Sequence, residues 1–429
     1  MRSQKNANKD KIVFVSTGAI LPDGTILENL HDKNLQECKL AVMRNGALTI
    51  VNEYRDALTG NVYRPKYDDV INRNLLMLPS EARLAKIDGP QLVEKARRFL
   101  HRNVDLHPAF EQLAARYMVM TSVFDAFETI PYMRVLGSYG MGKSRCINVM
   151  GAGMHHSLRL GTGITAAGTF RMLAKYPGAS LLFDEANFDN MTRSNPFVQI
   201  LNGGYCRTGY TIRCNGQSFE PQFYPTFGPK LLAGNSVYED PGVESRILTG
   251  NAILSVRDDL PDSLPPYSNW PEAEELRNDL LAYRLGNLGL VAKNPRPAMP
   301  EDFKPRFREV IAPLFQATGE TVIPSDVLDF LENINYQQTA SNAQTEEAYV
   351  VYILAEKRKL DQLSMPVGFL AKELNDRHGL TLTARKVGGI VRTLGIPMKA
   401  RSSMGISIDL TSPKIEELAK RYRLPDKLN

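Results

Sequence analysis

The chain has 429 residues, a formal charge of +5, 43% hydrophobic and 23% charged residues. These values exclude a disordered, collagen-like or disulfide-scaffold chain and suggest two to four domains. No run of about 18 apolar residues occurs, so no membrane span is expected. The polar start MRSQKNANKDK does not read as a secretory signal. Four cysteines fit a reducing compartment, cytoplasmic or nucleoid-associated. Cys206 and Cys214 are the closest pair; with no CxxC spacing and no His pair beside them, they predict no zinc site.

Residues 1–85 read as a small β-rich domain. Pro22-Asp23-Gly24 marks a turn, and Asn45-Gly46 between two apolar runs marks a hairpin. From Pro90 the period changes to helical, through QLVEKARRFLHR and again from about His107 to Phe127. The aromatic and Met stripe on the second helix (Phe110, Tyr117, Met118, Met120, Phe124, Phe127) reads as core. Residues 131–256 alternate strand, loop and helix, which predicts a mostly parallel sheet. Residues 269–335 read as helices. The small polar stretch Tyr336 to Glu346 reads as a linker.

The chemistry starts at PYMRVLG, a short apolar strand followed at once by GSYGMGKS (Gly137 to Ser144) and a helix. Gly137, Gly140 and Gly142 let backbone N–H groups turn toward phosphates, and the helix start adds positive potential. Lys143 would reach the β/γ-phosphates of ATP, and Ser144 would hold Mg²⁺. Ser180 to Glu185 reads SLLFDE, an apolar strand ending in two acids. There Asp184 would serve the Mg²⁺ shell and Glu185 would polarise water as general base. The acid pair favours hydrolysis over nucleotide storage.

Lys143, Asp184-Glu185, Asn235 and Arg246 follow in the order of Walker A, Walker B, sensor 1 and arginine finger. In this the chain resembles the AAA+ ATPases, although Tyr139 is unusual in the loop and the loop-to-acid spacing is short. Over roughly residues 90 to 425, phrases such as FDAFETIPYMRVLGSYGMGKSR, ILNGGYCRTG and FGPKLLAGN resemble a domain family of phage, plasmid and integrated-element proteins. That family is often joined to primase or helicase modules. The resemblance implies an α/β fold: an AAA+ P-loop parallel sheet (86–260), a helical lid (261–340), the N-terminal β-rich domain (1–85) and a C-terminal winged-helix domain (345–429). It implies that Asn235 orients water and that Arg246 reaches a neighbouring subunit's γ-phosphate in a homo-oligomer, most simply a hexameric ring. The plain alternative is a Glu244–Arg246 surface pair. Arg306 and Arg308 are the candidates for sensor 2.

Two segments point to DNA. Asn215-Gly216 predicts a hairpin just before the Asn235 strand. Minichromosome-maintenance and viral initiator helicases place a DNA-gripping hairpin there, and Arg207 and Arg213 are the nearby charges. From Thr381 onward ten Lys/Arg face four acids, giving this segment +6 and the remainder −1. Two helices and a hairpin in this region resemble a winged helix. That arrangement would put Thr383, Arg385 and Lys386 at a groove, with Arg392, Lys399 and Arg401 near phosphates. The expectation is an ATP-hydrolysing motor on DNA, a helicase or translocase replicating a mobile element or virus, with a replication protein as a possible partner. The alternative is a switch (a helicase loader, transposition regulator or defence NTPase) that recruits a protein.

Overall fold

The computed structural model describes residues 11–161, 163–186, 195–214, 220–267, 269–343, 345–402 and 405–422, without the side chains of 339–343, 400–402 and 421. It is a mixed α/β structure that divides into two compact units, residues 1–332 and 333–429. No helix among the described residues is long and apolar enough to cross a membrane.

The first unit opens with strands, as expected. They are β1 (Ile12–Val15), β2 (Gly18–Ile20), β3 (Ile26–Asp32), β4 (Glu37–Arg44), β5 (Ala47–Val51), β6 (Tyr54–Arg55) and β7 (Val62–Pro65). The order β2-β3-β4-β5 makes one sheet and β1-β7-β6 another. Asn45 and Gly46 turn β4 into β5 with φ of 49° and 80°, the left-handed pair that a two-residue hairpin needs. These strands join the same compact unit as the Gly137–Ser144 loop. Ser16 and Thr17 hydroxyls donate to the carbonyls of Lys175 and Pro177, each at 2.7 Å. After the short helix α1 (Asp69–Asn72), strand β8 (Leu76–Met77) becomes the edge of the main sheet.

Helices α2 (Gly89–Asn103) and α3 (Pro108–Ser122) follow, each with Pro in its first turn. The aromatic and Met stripe of α3 is core: Phe110, Tyr117, Met118 and Met120 are fully buried. Then β9 (Tyr132–Leu136), α4 (Lys143–Gly153), β10 (Ser157–Leu160), α5 (Ala166–Lys175), β11 (Ser180–Phe183), α6 (Pro196–Gly203), β12 (Tyr210–Cys214), β13 (Pro221–Pro225), β14 (Lys230–Gly234), α7 (Pro241–Glu244) and β15 (Ile247–Asn251) alternate. The main sheet runs β15-β9-β14-β11-β10-β8. All its pairs are parallel except β10 with β8. Strands β11 and β14 are buried along their whole length, as strands covered on both faces must be. The unit is completed by α8 (Pro271–Val291), α9 (Pro305–Gln316) and the start of α10 (Ser325–Ala343).

That last helix corrects one expectation. Tyr336 to Ala343 is helix rather than linker; the stretch contains no Gly or Pro, and Gln and Ala propagate a helix well.

The second unit contains α11 (Glu346–Lys359), β16 (Ser364–Pro366), α12 (Val367–His378), α13 (Ala384–Thr393), β17 (Met398–Ser402), β18 (Gly405–Asp409) and α14 (Lys414–Tyr422). Its sheet is β16-β18-β17, antiparallel throughout. Val351, Leu354, Leu370, Val387, Ile408 and Ile415 form its core. Asn375 fixes the turn between α12 and α13: its amide donates to the Leu382 carbonyl at 3.0 Å, and its oxygen accepts the Leu382 N–H at 2.7 Å. Strand β16 and helix α14 were not expected from the sequence.

Candidate functional site

The loop sits where a parallel sheet leaves a crevice, beyond the C-terminal end of β9. Gly140 and Gly142 take φ of 81° and 84°, the left-handed region that costs a residue with a Cβ but not glycine. A Cβ on Gly137 would stand 3.0 Å from the Ala252 Cβ, so close packing also restricts that position. Tyr139 is 98% exposed at the crown. The Lys143 ammonium folds back on the loop, donating to the carbonyls of Gly137 at 2.6 Å and Ser138 at 2.8 Å. Helix α4 begins at this lysine, so its free N–H groups face the loop.

The acids arrive from β11, and the loop and acids meet. The Ser144 hydroxyl donates to Asp184 Oδ1 at 3.2 Å. Two oxygens of a six-coordinate Mg²⁺ in adjacent positions lie about 3.0 Å apart, so this donor pair fits such an ion. Glu185 is exposed and adopts φ of 58°, an uncommon conformation for a non-glycine residue that is enriched at functional sites. Between β9 and β11 lies β14. The Gly234 carbonyl accepts the Gly137 N–H at 3.2 Å, and the Ala233 carbonyl accepts the Ala186 N–H at 2.6 Å. Asn235 follows directly, so the chain places it between the loop and the acid pair. A cavity of about 190 Å³ adjoins the loop, lined by Val104, Leu106, Met141, Cys146, Ala252 and Leu254 among others. Its apolar lining suits the flat face of a nucleobase. Burial pushes the Cys146 thiol up to about 12, so this cysteine stays protonated.

Arg246 lies elsewhere. It directly precedes β15, and its carbonyl accepts the Tyr132 N–H at the start of β9. The register runs from Ile247↔Tyr132 to Asn251↔Leu136, so about 15 Å of sheet separates Arg246 from its own loop. Its guanidinium rests 4.3 Å from the Tyr205 ring centre and donates to Asn202 and to the Gly242 carbonyl. The plain alternative was a Glu244–Arg246 surface pair. Glu244 takes Arg134 in a bidentate pair, at 2.5 and 2.7 Å. Arg306 covers Tyr205 at 5.0 Å and donates to its hydroxyl. Arg308 donates to the carbonyls of Phe303 and Glu301. Arg306 therefore groups with Arg246 at the far end of the sheet, and Arg308 closes its own helix start. The partners of both lie outside the Gly137–Ser144 loop.

Sequence reading missed several buried cations, Arg134 and Lys230 among them. Arg134 is a charged residue inside the apolar strand β9, and Lys230 opens β14. The Lys230 ammonium donates to the carbonyls of Thr226 at 2.8 Å, Gly228 at 2.9 Å and Gly204 at 3.3 Å, and complete burial lowers its pKa to about 7. It ties the GGY and TFGP segments together beneath the sheet. A lone charge within each apolar run was the available signal.

The β12–β13 hairpin forms, in the register Tyr210↔Pro225 to Cys214↔Pro221; its Asn215-Gly216 turn lies outside the described residues. Its charge pattern differs from expectation. Arg213 turns inward, with its guanidinium 4.4 Å from the Phe170 ring. Arg207 pairs with Glu128. The exposed face shows Tyr210, Ile212 and Phe223. Alternation put Arg213 opposite Ile212, and the helix beneath offered an aromatic ring to the cation.

In the second unit Thr383 caps α13, accepting the Lys386 N–H. Arg385, Lys386, Arg392 and Lys399 are exposed. Lys386 pairs with Glu346 at 2.6 Å, and Lys399 lies 3.9 Å from Asp409. Arg401 is in β17, with its side chain outside the description.

No known family model matches the sequence, and no curated protein aligns with it. Among solved structures, the apo NrS-1 C-terminal region (305–718) aligns over 90% of this chain and 96% of its own, with 10% identity and a TM-score of 0.37. Its A form gives 11% identity and a TM-score of 0.31, over 89% and 96%. At these values the likeness carries no argument about fold or function.

Proposed function

We propose that this chain is an ATP-hydrolysing AAA+ motor acting on DNA, a helicase or translocase in the replication of a mobile element or virus. The observation that carries the reading is the meeting of the loop and the acid strand: Ser144 Oγ and Asp184 Oδ1 stand 3.2 Å apart, with Lys143 beside them and Glu185 next in the chain.

Bound ATP-Mg²⁺ would supply the transferable phosphoryl group and the cation that neutralises its charge. The chain's own residues would do the rest. Backbone N–H groups of Gly140 to Ser144 cradle the phosphates, and the Lys143 ammonium leaves the loop carbonyls for phosphate oxygens. Ser144 and Asp184 hold the cation, Glu185 accepts a proton from the attacking water, and Asn235 orients that water. Arg246, remote from its own loop, acts on the site of a neighbouring copy in a ring, most simply a hexamer. The order α12, turn, α13, β17, β18 supports a winged helix that meets DNA through Arg385, Lys386, Arg392 and Lys399.

The decisive test is the ATPase rate with and without single- and double-stranded DNA, using Lys143→Ala and Glu185→Gln as controls. Stimulation by DNA in the wild type, absent in both variants, is the expected result. Unchanged ATP affinity in Lys143→Ala would sink the site assignment. A second reading, an ATP-dependent switch that docks a protein, is favoured by the exposed Tyr210, Ile212 and Phe223 on the hairpin. A rate indifferent to DNA would select it.

A further inference from the structure

Away from the loop, the far end of α4 leads into a second set of ligating groups. Helix α4 ends at Gly153, and His155 and His156 follow before β10 begins. Both imidazoles face Glu28 of β3, and one donor atom from each of the three residues lies within 4.8 Å of the others. His156 Nε2 is 3.2 Å from Glu28 Oε2, and His155 Nε2 is 3.7 Å from the same oxygen. All three side chains are at most 5% exposed.

The polar atoms here are not otherwise used. Glu28 Oε2, both ring nitrogens of His155 and Nε2 of His156 are buried without a hydrogen-bond partner; the 3.2 Å approach lacks hydrogen-bond geometry. Four such atoms in one place is a cost of several kcal/mol that proteins seldom leave uncompensated. The backbone is also bent to build the cluster: His156 has φ of 46°, left-handed and unfavourable for a residue with a Cβ. That conformation brings two consecutive imidazoles to the same side, with ring centres 3.7 Å apart.

The dimensions match a metal. Tetrahedral ligands at about 2.0–2.1 Å from zinc stand about 3.3 Å from one another, and the two measured separations to Glu28 bracket that value. The surroundings orient the carboxylate. Arg284 Nε donates to Glu28 Oε1 at 2.6 Å, and its other nitrogens are held by Asp125 at 2.5 and 2.7 Å and by the Ser122 carbonyl. This leaves Oε2 turned to the imidazoles, the arrangement of an outer shell around a ligand.

We infer that Glu28, His155 and His156 form a buried binding site for a zinc-class divalent ion that fastens β3 of the N-terminal sheet to the end of the phosphate-loop helix. Two imidazoles and one carboxylate select a borderline transition metal over Mg²⁺ or Ca²⁺. One tetrahedral position is left for water. The inference is independent of the nucleotide reading.

The test uses the full-length chain, unfolded in chelator and refolded with or without zinc, followed by gel filtration and elemental analysis. One zinc per chain is expected in the wild type and in Lys143→Ala, with melting raised by about 5 °C at a hundredfold excess over the dissociation constant. Glu28→Gln and His156→Ala should lose the ion. Metal-free wild type whose melting ignores zinc would overturn the inference, as would full zinc retention by folded Glu28→Gln. Should the variants fail to fold, cobalt in the wild type decides. An intense four-coordinate visible spectrum supports the site; a weak six-coordinate spectrum, or none, overturns it.

Discussion

Substituting Arg134 and Glu244, singly and together, probes the pair that anchors the segment around Arg246. Arg134 is 1% exposed on β9. It donates to both Glu244 oxygens and to Thr249 Oγ1 at 2.9 Å, beneath the Tyr238 ring. Glu244 is 19% exposed and also accepts the Tyr238 N–H at 2.7 Å. The two ends are therefore unequal. Glu244→Met strands a guanidinium in the core with only Thr249 as partner, and should cost about 3–5 kcal/mol. Arg134→Met leaves a carboxylate that touches water and keeps its Tyr238 donor, and should cost about 1–3 kcal/mol. The double substitution replaces charge by packing and should cost less than the two losses added together, a coupling of about 2 kcal/mol. Urea unfolding followed by tryptophan fluorescence reads this directly, because the only tryptophan is Trp270 in the first unit, 4% exposed and 5.3 Å from the Phe99 ring. Strictly additive losses, or a Glu244→Met cost below about 1 kcal/mol, would refute the account.

Three further outcomes follow from the geometry. Gly142→Ala should lower stability by about 1–2 kcal/mol, since φ of 84° costs a Cβ-bearing residue that much and no atom crowds the position; an unchanged urea midpoint would contradict it. Lys230, with its pKa lowered to about 7 by burial, sheds its proton in the folded state while the unfolded chain keeps it to about 10.4. Stability should therefore rise with pH across that window by at most about 1.4 kcal/mol per unit. Lys230→Met should lack that slope, so parallel wild-type and variant profiles between pH 7 and 9 would contradict it. Replacing Arg385 and Lys386 together by Ala should lower the salt dependence of double-stranded DNA binding by about two ions; an unchanged slope in fluorescence anisotropy would remove α13 from the contact.

The region around Gly137 to Ser144 was legible because its signals are local. An apolar run, glycines at the turn and a lysine opening a helix all fall within one stretch, and the DE pair ends another. The Asn45-Gly46 turn was legible for the same reason. What the sequence hid depends on partners distant along the chain. Arg213 is positive in any reading, but only the placement of Phe170 turns it inward. Glu244 lies two residues from Arg246 in sequence, yet the parallel register delivers it to Arg134. His155 and His156 show no metal spacing, because consecutive histidines on an ordinary backbone diverge; the left-handed turn at His156 and a carboxylate from another sheet bring them together. Tyr336 to Ala343 misled because small polar residues suit helix and coil alike.

If Arg246, which lies at the opposite end of the sheet from its own loop, serves a neighbouring copy as proposed, a kinetic consequence follows. On that proposal, nucleotide binding would need only groups that one chain brings together, so affinity per chain should hold at any dilution. Turnover that requires Arg246 needs two chains, so specific activity should fall as the protein is diluted below its self-association constant. Assays at nanomolar and micromolar protein would then describe different catalysts, and the abundance of the chain would itself set when ATP is consumed.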